Sequence, residues 1–305
     1  VPRIMCGNNN GAEQSLENFE SCCLAELFLP NIETEEELHD CIYLLYRVCK
    51  HSLLLPSHQE ETQEVVHRNM RMGIGVTGYL QASEEQKSWL SDAYEFLRDL
   101  DKEYSEMNDF NPSIKLTTVK PSGTLSLLPG VTPGVHPGIA RFMYRRITIA
   151  ADNPLVEVCK SHGYPVEYQL NLDGTENFGT VIVTFPYSYP EDTVLEEDLT
   201  AIDQLEYVKE LQSNWSDNSV SCTVYYKEEE IPGIQAYLRE NYKTTFKSLS
   251  FLLAKDHGFL QAPYEAITEE QFNDLTSKTT LITSIIEQAD FEGADECASG
   301  ACPVR

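Results

Sequence analysis

Positive charge is scarce in this chain: 22 Lys and Arg stand against 49 Asp and Glu, a formal charge of −27 at pH 7. A surface that grips nucleic acid needs clustered cations to neutralise phosphates, so the composition argues against that class of function. Long apolar runs are missing too, and none approaches the roughly 18 residues that a membrane-spanning helix requires. No signal-peptide pattern opens the chain. The first residue is Val1 rather than Met, which reads as a fragment or a processed product. The nine cysteines (6, 22, 23, 41, 49, 159, 222, 297 and 302) are odd in number and irregular in spacing. That excludes a secreted disulfide framework and fits a reducing, cytoplasmic compartment, with an organelle left open. What is present is ample core material. Apolar residues make up 41% and aromatics 10% of 305 residues, enough for one large domain or two ordinary ones.

The most informative stretch is Thr118-Val-Lys-Pro-Ser-Gly-Thr-Leu-Ser-Leu-Leu-Pro-Gly-Val-Thr-Pro-Gly-Val-His136. A β-rich segment over 114–119 feeds the turn Pro121, Ser122, Gly123, Thr124, followed by a short apolar segment over 125–128. Hydroxyls and uncovered N–H groups at such a turn suit an anion, more so if a helix begins there. The same residues also make an ordinary loop, and local chemistry leaves both readings open.

Elsewhere the pattern alternates helix and strand. Residues 34–52 form an expected amphipathic helix with Thr34 as cap and Leu38, Cys41, Ile42, Leu45 and Val48 as its stripe. Further helices are expected over 60–72, 83–109, 153–162, 201–213 and up to Tyr242. Strands are expected over 141–150, 181–185, 222–226 and 248–253. Gly73-Ile-Gly75-Val-Thr-Gly78 is formally a GxGxxG, but a helix-like segment precedes it, so a dinucleotide fingerprint and an NAD-dependent oxidoreductase are rejected. Arg145 and Arg146 could hold phosphates or pair with surface acids. Cys297 and Cys302, in a tail of small residues, cannot build a zinc site without further ligands. They read as a mobile dithiol suited to thiol exchange.

Pro-Ser-Gly-Thr-x-Ser-Leu-Leu, then Gly-Val-Thr-Pro-Gly-Val-His and Tyr144-Arg145-Arg146, resembles the substrate-phosphate loop of ribonucleotide reductases. The likeness is to the adenosylcobalamin-dependent class II enzymes, the ribonucleoside-triphosphate reductases in particular. It extends to Glu20-Ser21-Cys22, to Gly73 to Gly78, to Asp217-Asn-Ser-Val-Ser-Cys-Thr-Val and to His257-Gly-Phe-Leu-Gln261-Ala-Pro-Tyr264, so that it covers the chain from about residue 12 onward. The family carries Asn-Pro-Cys-(Gly/Ala)-Glu-Gln, and eleven residues beyond that cysteine a second one. Counting back from Cys22 puts Asn9 on the asparagine, Asn10 on the proline, Gly11 on the radical cysteine and Glu13-Gln14 on the Glu-Gln pair.

The resemblance implies an α/β fold, the second half of a ten-stranded reductase barrel over 1–285, with a flexible redox tail over 286–305. It implies reduction of ribonucleoside triphosphates by a radical mechanism with adenosylcobalamin as cofactor and thioredoxin as reductant. The implied roles are Asn9 to orient the ribose, Glu13 as base, Cys22 as one redox thiol, and Cys297 with Cys302 to re-reduce it. Pro121, Ser122, Gly123, Thr124, Leu125 and Ser126 would hold phosphate. The partner of Cys22 belongs to an N-terminal half, which is therefore an implied partner. Gly11 departs from the family, because glycine has no sulfur with which to start hydrogen abstraction, and Cys6 is five residues away. The alternative is a non-catalytic, reductase-like structural subunit or a degenerate copy.

Overall fold

The computed structural model describes residues 5–9, 11–171, 173–254 and 261–283, with backbone alone at Met5 and Cys6. Asn10, His257 and the expected dithiol tail with Cys297 and Cys302 lie outside the described residues. The chain divides into two compact units, Val1–Gly138 with Glu191–Lys255, and Ile139–Pro190 with Asp256–Arg305. The second unit carries a sheet of its own.

The first unit opens on an antiparallel hairpin, β1 (Met5–Asn8) and β2 (Ser15–Glu17). Its base is tied down by charge: Arg71 Nε lies 2.9 Å from Glu20 Oε1, and Glu20 Oε2 accepts from Glu17 N at 2.7 Å. Then come β3 (Leu24–Phe28), α1 (Glu35–Ser52), α2 (Glu60–Asn69), β4 (Gly73–Thr77), α3 (Glu84–Ser88), α4 (Leu90–Met107) and the short β5 (Thr117–Thr118). Thr34 caps α1 as expected, its hydroxyl accepting from Glu37 N at 3.1 Å, with Glu35, Glu36 and Glu37 against the positive end of the helix. The buried face of α1 is Leu38, Ile42, Tyr46 and Cys49. Val48, expected in the stripe, is 64% exposed, because the buried row steps by four, then four, then three residues and drifts off the expected line. α2 stops at Asn69, earlier than expected, since Met70 turns left-handed (φ 44°) and the chain enters β4. The expected helix over 83–109 breaks at Trp89 into α3 and α4.

Where α1 meets α4, a buried polar knot replaces apolar packing. Lys50 Nζ donates to Asp101 Oδ1 (2.8 Å), the Asn111 carbonyl (2.8 Å) and Ser113 Oγ (3.0 Å), while Tyr46 OH donates to Asp101 Oδ1 (2.9 Å). Burial drives the lysine pKa down, offset in part by Asp101.

The second unit supplies β6 (Phe142–Ala150), α5 (Leu155–Ser161), β7 (Val166–Leu170) and β8 (Glu176–Ser188). The chain then returns to the first unit with α6 (Ala201–Asn214), β9 (Thr223–Tyr226), α7 (Ile231–Asn241) and β10 (Ser250–Leu253), and ends its described part in the second with β11 (Tyr264–Ala266) and α8 (Glu269–Lys278). The second unit's sheet is antiparallel, in the order β11-β6-β8-β7. The apolar run over 181–185 is buried over 181–184, as expected of a central strand. Arg145 and Arg146 serve this sheet. Arg146 Nη2 pairs with Glu265 at 2.5 Å, and the Arg145 guanidinium lies 4.4 Å from the centre of the Tyr264 ring.

In the first unit all the longer-range pairings are parallel. β3, β4 and β5 form one sheet in that order, β9 and β10 another, and a parallel bridge from Val119 to Val220 joins them. Five parallel strands therefore run side by side with helices in the connections, the α/β arrangement. Trp215, 1% exposed, locks the middle: its Nε1 donates to the carbonyls of Ile74 (3.2 Å) and Thr118 (3.1 Å). Among the described residues no helix is long and apolar enough to cross a membrane.

Candidate active site

The tip of the β1–β2 hairpin gathers the residues singled out from sequence. Asn9 folds it: its N–H donates to the Gln14 carbonyl (3.1 Å), its carbonyl accepts from Ala12 N (2.9 Å), and its Oδ1 accepts from Gln14 N (3.0 Å). Ala12 takes the left-handed turn at φ 57°. The tip is fastened to the segment leading into β9. Ser219 N donates to the Glu13 carbonyl at 2.8 Å and Ser221 Oγ to the Gly11 carbonyl at 2.5 Å. Gln14, fully buried, donates through Nε2 to the Cys23 carbonyl at 3.2 Å.

Gly73 and Gly75 explain how the tip fits. A Cβ at Gly73 would lie 2.8 Å from Leu24 Cδ2, 2.9 Å from Thr118 Cγ2 and 3.0 Å from Gln14 Nε2. The glycine of β4 clears the face on which the hairpin rests, so this motif serves close approach rather than a dinucleotide.

Asn9 and Cys22 meet as the motif spacing implies, with Asn9 Nδ2 3.4 Å from Cys22 Sγ. Glu13 is 5% exposed, and its Oε2 has no hydrogen-bond partner among the described residues. An ideal Cβ on Gly11 would stand 2.1 Å from Glu13 Oε1 and 2.5 Å from Oε2, so the glutamate carboxylate occupies the space that a side chain at 11 would enter. Burial pushes the Cys22 thiol up to about 11; the Asn9 amide pulls it down, and Glu13 and Cys23 add to the rise. Alkylation of Cys22, followed residue by residue by mass spectrometry, is accordingly expected to be slow at neutral pH and to accelerate as pH climbs toward 11. Glu13→Gln should shift that profile to lower pH and Asn9→Ala to higher, and coincident profiles would contradict this account.

The turn after β5 lies beside this cluster. Ser122 adopts φ 55°, its carbonyl accepts from Ser126 N at 3.1 Å, and Leu125–Leu127 form a single 3₁₀ turn. Ser126 is buried with an unpartnered hydroxyl among the described residues. Ser122 Oγ donates to Glu26 of β3, and Lys120 Nζ stands 3.6 Å from the same Glu26 oxygen. His136 anchors the far end of the loop. Its Nδ1 faces the Pro133 carbonyl (3.1 Å) and its Nε2 accepts from Thr223 N (3.0 Å), while burial lowers its pKa and keeps the ring neutral.

No protein-family model matches the chain. Curated proteins do. An adenosylcobalamin-dependent ribonucleoside-triphosphate reductase of Euglena gracilis is 38% identical over 279 residues, covering 89% of this chain and 38% of that protein. One from Levilactobacillus brevis is 30% identical, covering 98% of this chain and 45% of that protein. Among solved structures, a B12-dependent class II ribonucleotide reductase superposes with a TM-score of 0.75 at 27% identity, over 91% of this chain and 43% of that one. The chain is a homologue of the adenosylcobalamin-dependent ribonucleoside-triphosphate reductases. It spans less than half the length of these relatives.

Against the reductase motif, Asn9, Glu13 and Cys22 come together at one hairpin tip. The loop over Pro121–Ser126 joins them through Glu26, whose carboxyl also feels Glu13. Ser219, Ser221, Lys120 and Glu26 were not singled out from sequence. Lys120, Ser219 and Ser221 lie inside the motifs quoted above, with no role assigned there, and Glu26 stands as an acidic residue in an otherwise apolar strand.

Proposed function

We propose that this chain is the substrate-reducing C-terminal portion of a ribonucleoside-triphosphate reductase, its five parallel strands forming half of a ten-stranded barrel completed by an N-terminal half. The observation that carries the reading is the meeting of Asn9, Glu13 and Cys22 at a hairpin tip beside the Ser122 turn. In this reading the loop over 121–126 holds the substrate phosphates, Asn9 orients the ribose and Glu13 takes a proton from it. Cys22 and a thiol of the other half become a disulfide, giving up two electrons and two protons. The ribose 2′ C–O bond breaks, the hydroxyl leaves as water, and a hydrogen takes its place. Cys297 with Cys302 then re-reduces the pair by exchange, with thioredoxin as final reductant, in a cytosolic setting.

Adenosylcobalamin, when bound, would supply the radical. The residues around position 11 do not fit it as a reaction partner. The donor set has no thiol there, and the Glu13 carboxylate stands where one would project.

The test is triphosphate reduction by the folded chain with adenosylcobalamin and dithiothreitol, with and without a matching N-terminal half, for the unaltered chain and for Gly11→Cys. Product that requires both halves and is lost in Cys22→Ser supports the proposal. No product in any combination overturns it in favour of the structural subunit.

A further inference from the structure

Glu26 of β3 pairs in register with Gly75 of β4, which pairs in turn with Thr118 of β5. A Cβ on Gly75 would lie 3.6 Å from Glu26 Cγ and 3.8 Å from Thr118 Cγ2, so Glu26 and Thr118 flank Gly75 on one face of the sheet. Across that face the glutamate reaches from β3 to Ser122 beyond β5. Its side chain is 0% exposed. One carboxylate oxygen, Oε2, accepts from Ser122 Oγ and faces Lys120 Nζ at 3.6 Å. The other, Oε1, is buried with no hydrogen-bond partner among the described residues.

A buried carboxylate directly behind a turn meant for phosphate is an electrostatic conflict. Its anion competes for the nearest cation, and it accepts from Ser122, whose backbone is left-handed at φ 55°. The groups that face it are Lys120 and Ser122 from the loop and Glu13 from the hairpin tip, while β4 presents only Gly75. Cys22, in the same cluster, feels Glu13 and Lys120.

We propose that Glu26 is a positioning residue that couples phosphate binding to proton uptake: ionised, it keeps Lys120 and Ser122 for itself, and protonated at Oε1, it releases Lys120 to the phosphate of a bound nucleotide. The inference rests on the reading of 121–126 as the substrate-phosphate loop. Burial already pushes the Glu26 carboxyl above the usual carboxylate range, with Ser122 and Lys120 pulling against it and Glu13 adding to the rise. Affinity should therefore fall as pH climbs through that raised value.

The experiment is calorimetric titration of the full chain and of Glu26→Gln with inorganic tripolyphosphate, from about pH 5.5 to about pH 8.5. The ligand's own titration is common to both proteins and cancels. The two affinities are expected to converge as pH falls, with the variant about tenfold tighter at the alkaline end, the effect of removing one nearby negative charge. Binding with parallel pH profiles would overturn the role of Glu26 and leave the phosphate loop standing. Absence of binding in both proteins would overturn the loop reading and this inference with it. A measurement on the unaltered chain guards against a variant that fails to fold. Titration with sulfate, which does not itself titrate in this range, in two buffers of different ionisation heat should show proton uptake, and none would refute the coupling.

Discussion

Gly11→Cys is expected to raise triphosphate reduction, assayed with an N-terminal half, adenosylcobalamin and dithiothreitol, by about 10³-fold or more over the unaltered chain, the scale on which removal of an essential reacting group is felt. The backbone permits the change. Gly11 is not among the glycines with positive φ, and Ala12 carries the left-handed turn instead. The obstacle is the Glu13 carboxylate, 2.1 Å from the new Cβ. That is the far end of a flexible side chain, and its Oε2 has no hydrogen bond to lose among the described residues. Rotation of Glu13 would thus make room for the thiol. Gly11→Ala separates bulk from chemistry, since it displaces Glu13 equally and should leave the mixture inactive. Equal turnover by the unaltered chain would place the abstracting thiol elsewhere, on the other half or at Cys6.

The second large effect is on stability. Lys50→Met is expected to cost about 3–5 kcal/mol, because Asp101 would keep its charge in the core without a counter-ion. For a unit of this size that lowers the Tm by about 10 °C, readable by circular dichroism or scanning calorimetry. Adding Asp101→Leu removes the stranded charge and should recover part of the loss. Recovery stays incomplete, because Tyr46 OH and Ser113 N, the latter 2.7 Å from Asp101 Oδ2, lose their acceptor. A single variant as stable as the parent would contradict this account of the buried pair.

The α/β character and most elements of the first unit were legible because hydrophobic period and capping speak locally. Thr34, expected as the cap of α1, caps it through the side chain, whereas α8 behind Thr268 was not expected. Boundaries failed where tertiary packing overrode propensity, as at Met70, whose buried side chain coincides with a left-handed turn. The second unit was hidden because β6 and β8 pair with each other across 26 or more residues (176 − 150), a closure that no local pattern marks. At the site, Asn9, Glu13 and Cys22 were found through motif spacing. Glu26 and Lys120 were not, because their importance lies in a cross-strand reach over Gly75 that no linear pattern encodes. The family resemblance of the Gly-x-Gly of β4 implied glycines that let a strand pack closely, and at Gly73 the neighbours do approach closely.

The fastening of the hairpin tip to Ser219 and Ser221 also sets an order of events during synthesis. The Ser219 N–H that donates to the Glu13 carbonyl is made some 206 residues after it (219 − 13). At ribosomal speeds that interval is on the order of ten to forty seconds. Through it β3, β4 and β5 can pair locally, while closing the Val119–Val220 bridge must wait for residues 139–190 of the second unit to be laid down. The hairpin tip is consequently fastened late, and a nascent chain stalled before residue 219 would hold β3, β4 and β5 with α1 to α4 while the tip stays unmoored.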